Sequence, residues 1–153
     1  MKVGEFCSRA VVIVYSHESL RAAAELMRRH HVGDLVVLED GDLARRPMGL
    51  VTDRDLVLEA IAPGVDPDSI TAADITVRDP VLVREEDDLL DTLATMRKAG
   101  VRRIPVVDGD GALAGILSVD DVLELLADIL SDLRRLITRE QENEASTRRT
   151  QEY

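Results

Sequence analysis

Residues 20–27 read Leu-Arg-Ala-Ala-Ala-Glu-Leu-Met, and 69 positions later residues 89–96 read Leu-Leu-Asp-Thr-Leu-Ala-Thr-Met. An internal repeat constrains the fold strongly, because each copy must then be one supersecondary unit that buries its apolar face against the other. Leu20, Ala23, Ala24 and Met27 fall at i, i+3, i+4 and i+7, and Leu89, Leu93 and Met96 keep the same face, so both segments are amphipathic helices. An apolar strand follows each helix, at 35–38 and at 104–107, and Val32 and Val101 again stand 69 apart. Asp-Gly turns at 39–42 and 108–111 lead into second strands at 48–51 and 114–117, the hairpin signature. Gly49 and Gly115 are only 66 apart, so the first copy carries three additional loop residues near 44–47. A short strand precedes each amphipathic helix, at 11–14 and 81–83, and each second strand runs into a further helix. The order is strand, helix, strand, strand, helix, twice. This is an α/β chain made of a duplicated β-α-β-β-α unit with pseudo-twofold symmetry. Residues 62–68 read as a turn-rich linker. The divisions are 1–66 for the first unit, 67–126 for the second, and 127–153 for a C-terminal helical extension with a polar tail.

Charge and composition exclude whole classes of function. The net charge of −11 argues against a surface for nucleic acid or for anionic membranes. Aromatic residues make up 2 % with no Trp, so the core is aliphatic and stacking of bases on aromatic platforms is nearly excluded. The single cysteine, Cys7, rules out an internal disulfide and a multi-cysteine zinc site. No basic-then-apolar leader and no apolar run of about 20 residues is present, which makes a soluble cytoplasmic protein the expectation. His30 and His31 are adjacent and diverge at a helix end, so no shared metal is expected there. The carboxylates do not pair with a base and an oxyanion site, and no catalytic set is expected.

The chemistry concentrates where each second strand meets its helix: Thr52-Asp53-Arg54-Asp55 in the first copy, Ser118-Val119-Asp120-Asp121 in the second. The first N–H groups of a helix lack partners and sit at the positive end of the dipole, so a phosphate can bind there. Thr52 or Ser118 offers a hydroxyl to a phosphate, and Asp55 or Asp121 can accept two ribose hydroxyls. The same spacing is also a capping box, and the two roles can coexist. Arg54, Arg102 and Arg103 supply the local cations that an anionic ligand needs in an acidic chain. Ile104 and Pro105 read as part of an apolar edge strand, since proline cannot donate to a ladder.

The residues 103–107 (Arg-Ile-Pro-Val-Val), the two Gly-apolar-apolar-Thr/Ser-x-x-Asp segments at 49–55 and 115–121, and the helices ending in Met27 and Met96 together resemble the cystathionine-β-synthase (CBS) domain pair, or Bateman module, over residues 3–126. The resemblance implies an adenosine ligand in the cleft between the copies: AMP, ADP, ATP, NAD or S-adenosylmethionine. It implies that Arg54 and Arg103 face phosphate and that the strand at Ile104 and Pro105 holds the adenine. The first copy departs from the pattern, with Asp34 where Arg103 stands, which favours the Ser118/Asp121 pocket. With no effector domain in the sequence, the chain resembles a CBS-only regulator acting in trans on an unknown effector protein. The alternative is a ligand-free dimeric scaffold in which both motifs are only helix caps.

Val122, Leu126, Ile129, Leu133 and Leu136 step by four and three, a heptad-like seam. That seam predicts a homodimer; packing back on the first copy is the competing arrangement. From Glu140 onward the polar composition predicts a frayed end.

Overall fold

The computed structural model describes residues 1–76 and 80–151, the side chains of 145–151 excepted. Each copy is built on a three-stranded sheet. In the first, β1 (Ile13–Tyr15) runs parallel to β2 (Asp34–Leu38), which pairs antiparallel with β3 (Pro47–Thr52). The crossover is α1 (Leu20–His30). After β3 comes a short helix, α2 (Asp53–Leu56), which loosens into a π turn over Val57–Ile61. A lead-in helix, α3 (Ala72–Ile75), opens the second copy. There β4 (Val83–Arg84), α4 (Leu89–Ala99), β5 (Arg103–Val107) and β6 (Leu113–Ser118) repeat the plan. The register repeats too: Val14 lies beside Val37, and Val83 beside Val106, each 69 residues on.

Both crossover helices stop and start at equivalent places. Ser19 caps α1 by accepting the Ala22 N–H at 3.2 Å, and Asp88 caps α4 by accepting the N–H groups of Leu90 and Asp91. Both end on a left-handed residue, His31 (φ 54) and Gly100 (φ 69).

The copies are held together by exchanged lead-in segments. Val3 and Gly4 donate to the carbonyls of Asp87 and Glu85 in the second copy at 3.0 and 2.9 Å. Ala72 and Ala73 return the favour, donating to Glu18 and Ser16 of the first copy at 2.8 and 2.9 Å. Each of these four positions has its counterpart exactly one repeat away, so the bonds obey the pseudo-twofold. Packing follows the backbone. Ala72 sits in the apolar cluster of Val14, Ala23, Met27, Leu35, Val37 and Val51, with Ile75 against it, and Val3 is fully buried. A fully buried aliphatic such as Leu20, Leu35, Leu89 or Leu117 contributes about 1.5–3 kcal/mol. Ser8 extends the second sheet by exchanging two backbone bonds with Ile116, both at 2.9 Å. This crossing requires Gly115, where an added Cβ would lie 2.7 Å from the Ser8 carbonyl oxygen and 2.8 Å from Cys7 Sγ. Arg9 reinforces it through an ion pair with Glu85 and a 3.0 Å bond to the Ala114 carbonyl.

Two expectations need correction. The strand at Ile104 and Pro105 is not an edge strand: β5 is central, between β4 and β6. Proline is tolerated there because β4 is only two residues long and pairs with Val106 and Val107, stopping short of Pro105. Where a frayed end was expected from Glu140, the C-terminal helix continues to Gln151; residues 152–153 lie outside the described residues. Its Glu, Gln, Arg and Ala residues are good helix formers, and propensity carries the backbone on.

The C-terminal helix, α5 (Val119–Gln151), is a separate unit of 33 residues. Among the described residues, no helix is long and apolar enough to cross a membrane.

Candidate functional site

A groove of about 730 Å³ opens where the two copies face each other within residues 1–118. The first copy contributes Gly33, Asp34 and the start of α2 with Thr52, Asp53 and Arg54. The second contributes Pro80, Val81, the turn from Gly100 to Arg103, and Pro105. Five of the sequence-identified residues therefore meet here: Thr52, Arg54, Arg102, Arg103 and Pro105. They come together because β3 ends at Thr52 in one copy and β5 begins at Arg103 in the other.

The other four are placed differently. Ile104 is fully buried in β5 and is not among the residues that line the groove. Asp55 closes a capping box: its Oδ2 accepts the Thr52 N–H and the Thr52 hydroxyl, both at 2.8 Å, while its own N–H donates to Thr52 Oγ1 at 3.2 Å. The Thr52 proton is thus directed at Asp55, and its oxygen already accepts from the Asp55 N–H. Ser118 ends β6 opposite Arg103, and Asp121 lies in the first turn of α5; neither lines this groove.

Charge in the groove is mixed. Arg54, Arg102 and Arg103 face Asp34 and Asp53, a local surplus of one cation in a chain of −11. Asp34 and Arg103 occupy equivalent places in the repeat and meet across the pseudo-axis, with Nε 3.1 Å from Oδ1. Asp34 is the more enclosed of the pair, 13 % exposed against 42 %. Burial pushes the Asp34 carboxyl above its ordinary range; Arg103 pulls it back, and Asp53 adds to the rise. Asp53 itself sits close to the backbone: its N–H donates to the Gly33 carbonyl at 2.9 Å, and a Cβ on Gly33 would come within 3.2 Å of its carboxylate.

Val81 and Asp34 are among the lining residues that sequence reasoning passed over or read as unfavourable. In the first copy the Val36 N–H donates to the Val12 carbonyl at 3.0 Å. The equivalents in the second copy are Pro105 and Val81, and proline has no N–H to give. The Val81 carbonyl therefore receives no ladder bond from Pro105, and both residues border the groove. The signal was present as a proline standing where the first copy has valine. Among the described residues, no cluster of His, Cys, Asp or Glu is arranged to hold a metal ion.

Comparison with known proteins decides the family. The model of the CBS domain matches residues 3–61 and again 72–128. The chain belongs to the CBS-domain family. An uncharacterized protein of Methanopyrus kandleri is 33 % identical over 125 residues, 82 % of this chain; the match spans 62 % of that longer protein. Hypoxic response protein 1 of Mycobacterium tuberculosis is 34 % identical over 118 residues, 77 % of this chain and 80 % of that one. The crystal structure of Hypoxic Response Protein I, described with two coordinated zinc ions, superposes with a TM-score of 0.72 at 31 % identity, covering 81 % of this chain and 98 % of that one. A CBS domain protein of Pyrobaculum aerophilum, complexed with AMP, gives 0.71 at 28 % identity over 83 % of this chain and 99 % of that one. The two CBS motifs of this chain, the paired sheets and the long final helix thus form a CBS pair of the kind the repeat implied.

Proposed function

We propose that this CBS pair is a non-catalytic regulatory protein that binds an adenosine nucleotide in the groove between its copies and passes that state to an effector protein in trans. The observation that carries the reading is the joining, in one cavity of about 730 Å³, of the α2 start with the arginines that precede β5. That volume lies in the usual range of small-molecule sites. Arg54 and Arg103 take the phosphate, and the base lies by Pro105, where the Val81 carbonyl accepts from its exocyclic amine. AMP is the first candidate among AMP, ADP, ATP, NAD and S-adenosylmethionine. The complex of the Pyrobaculum aerophilum relative with AMP supports the same choice. Ser118 and Asp121 are the corresponding elements of a second site. The exposed apolar residues of α5 support a homodimer.

The intact Thr52–Asp55 capping box favours a second reading, a ligand-free dimeric scaffold. A thermal-shift panel separates the two. A nucleotide at 100 times its Kd adds about 2.7 kcal/mol, which raises Tm by roughly 5–11 °C for a chain of this size. A rise with AMP supports the sensor. No rise with any of the five compounds at millimolar concentration contradicts it and leaves the scaffold.

A further inference from the structure

The groove already holds an anion of its own. Asp34 opens β2 in the first copy, Arg103 opens β5 in the second, and both line the cavity. The Asp34 carboxylate lies 3.1 Å from Arg103 Nε, so the guanidinium proposed to take the phosphate is paired before any ligand arrives. The sheet fixes Asp34 in place, where it pairs with the neutral Thr52 at the end of β3. The other charges that face it are Arg102 beside Arg103, and Asp53 and Arg54 at the start of α2. A phosphate at Arg103 would stand within roughly 4–6 Å of the Asp34 carboxylate, and like charges at that distance oppose each other.

We propose that Asp34 is an internal competitor for the ligand's phosphate at Arg103, and that it sets how strongly the groove prefers a phosphorylated adenosine over adenosine itself. This deepens the nucleotide reading above and rests on it. The exchange carries a proton with it. Burial raises the Asp34 carboxyl above its ordinary value, Arg103 lowers it, and Asp53 adds to the rise, so among these influences Arg103 alone keeps the proton off. Once phosphate takes Arg103, the remaining influences and the phosphate itself favour the neutral acid. The chain therefore takes up a proton at Asp34 as the phosphate binds, and the neutral acid can donate it to a phosphate oxygen. As pH falls Asp34 is neutralised beforehand, and the handicap it imposes on AMP narrows.

Isothermal calorimetry with AMP and with adenosine tests this on the full native chain, Asp34→Asn, Arg103→Gln and the double variant. Asp34→Asn is expected to tighten AMP about tenfold and to leave adenosine within about twofold. The same substitution in the Arg103→Gln background is expected to gain much less, since the contested cation is gone. Titrations of the native chain at about pH 7, above the phosphate's own titration near about 6, are run in buffers of different ionisation enthalpy. They are expected to show proton uptake with AMP that Asp34→Asn lacks. Failure of AMP to bind either the native chain or Asp34→Asn overturns the nucleotide reading itself. Weaker AMP binding by Asp34→Asn makes the carboxylate a support for Arg103 and overturns the competition. AMP and adenosine tightened equally, or an equal gain without Arg103, is a general effect of the lost charge and overturns it as well. The native titration needs no variant to fold: AMP bound without proton uptake overturns the exchange.

Discussion

The two copies share a plan and differ at the groove. Position by position, one repeat apart, the first copy has Ala23, Asp34 and Val36 where the second has Thr92, Arg103 and Pro105. The first set is the better structural one: a well-packed alanine in α1 and an unbroken ladder bond from Val36 to Val12. The second set gives up that bond, leaves a buried Thr92 hydroxyl without a partner among the described residues, and places a cation beside a half-buried carboxylate. Duplication supplied a scaffold, and two of the departures from symmetry, Arg103 and Pro105, line the groove of the proposed ligand site, where local cost is what a functional site leads one to expect; Thr92 lies outside that lining.

Substitutions that make the copies alike test this. Arg103→Asp gives the second copy the residue of the first. It removes one phosphate partner and adds a repulsive carboxylate next to Asp34, so AMP affinity should fall about 10- to 100-fold or more in calorimetric titration. Gly115→Ala attacks what the copies share, the crossing of a lead-in segment over the neighbouring sheet. The new Cβ meets backbone at Ser8, which cannot retreat cheaply, and urea denaturation should show a loss of about 1–3 kcal/mol. Pro105→Val restores a donor toward the Val81 carbonyl. Stability should rise by about 0.5–1.5 kcal/mol while AMP binds less tightly, because the acceptor for the base is now occupied.

Asp34 gives a pH test. Its folded carboxyl is held above the ordinary value of 3.8, so the folded chain keeps this proton more firmly than the unfolded chain does. That contribution is complete below 3.8 and is lost as pH rises through the folded value. Urea midpoints of the native chain should therefore decline relative to Asp34→Asn as pH is raised from 4 toward neutrality; parallel curves would mean that the carboxyl is not perturbed. The smallest effect is expected from Thr92→Val, which keeps the volume and removes the unpaired hydroxyl, for a gain of about 1 kcal/mol.

Much of this architecture was legible before any coordinates. Helical periodicity placed α1 and α4, Asp-Gly turns placed the hairpins, and the Thr52-x-x-Asp55 spacing gave a cap that is found as written. Three features were not legible, for physical reasons. The exchange of lead-in segments runs through backbone bonds such as Val3 to Asp87, which do not depend on which side chains the paired residues carry. The central place of β5 rests on its pairing with β4 and β6, and an apolar run reads the same in an edge or a middle strand. The Asp34–Arg103 pair joins residues one full repeat apart, and sequence reasoning took Asp34 only as a charge that would oppose phosphate. Equivalent positions near a twofold axis meet each other, and opposite charges at such a pair are a signal that a repeat alignment can reveal.

A crystal structure of the chain grown with saturating AMP tests the central claim most directly. The nucleotide should lie in the groove with its phosphate at Arg54 and Arg103 and its base beside Pro105. A groove left empty at saturation, or AMP bound away from these residues, contradicts the account.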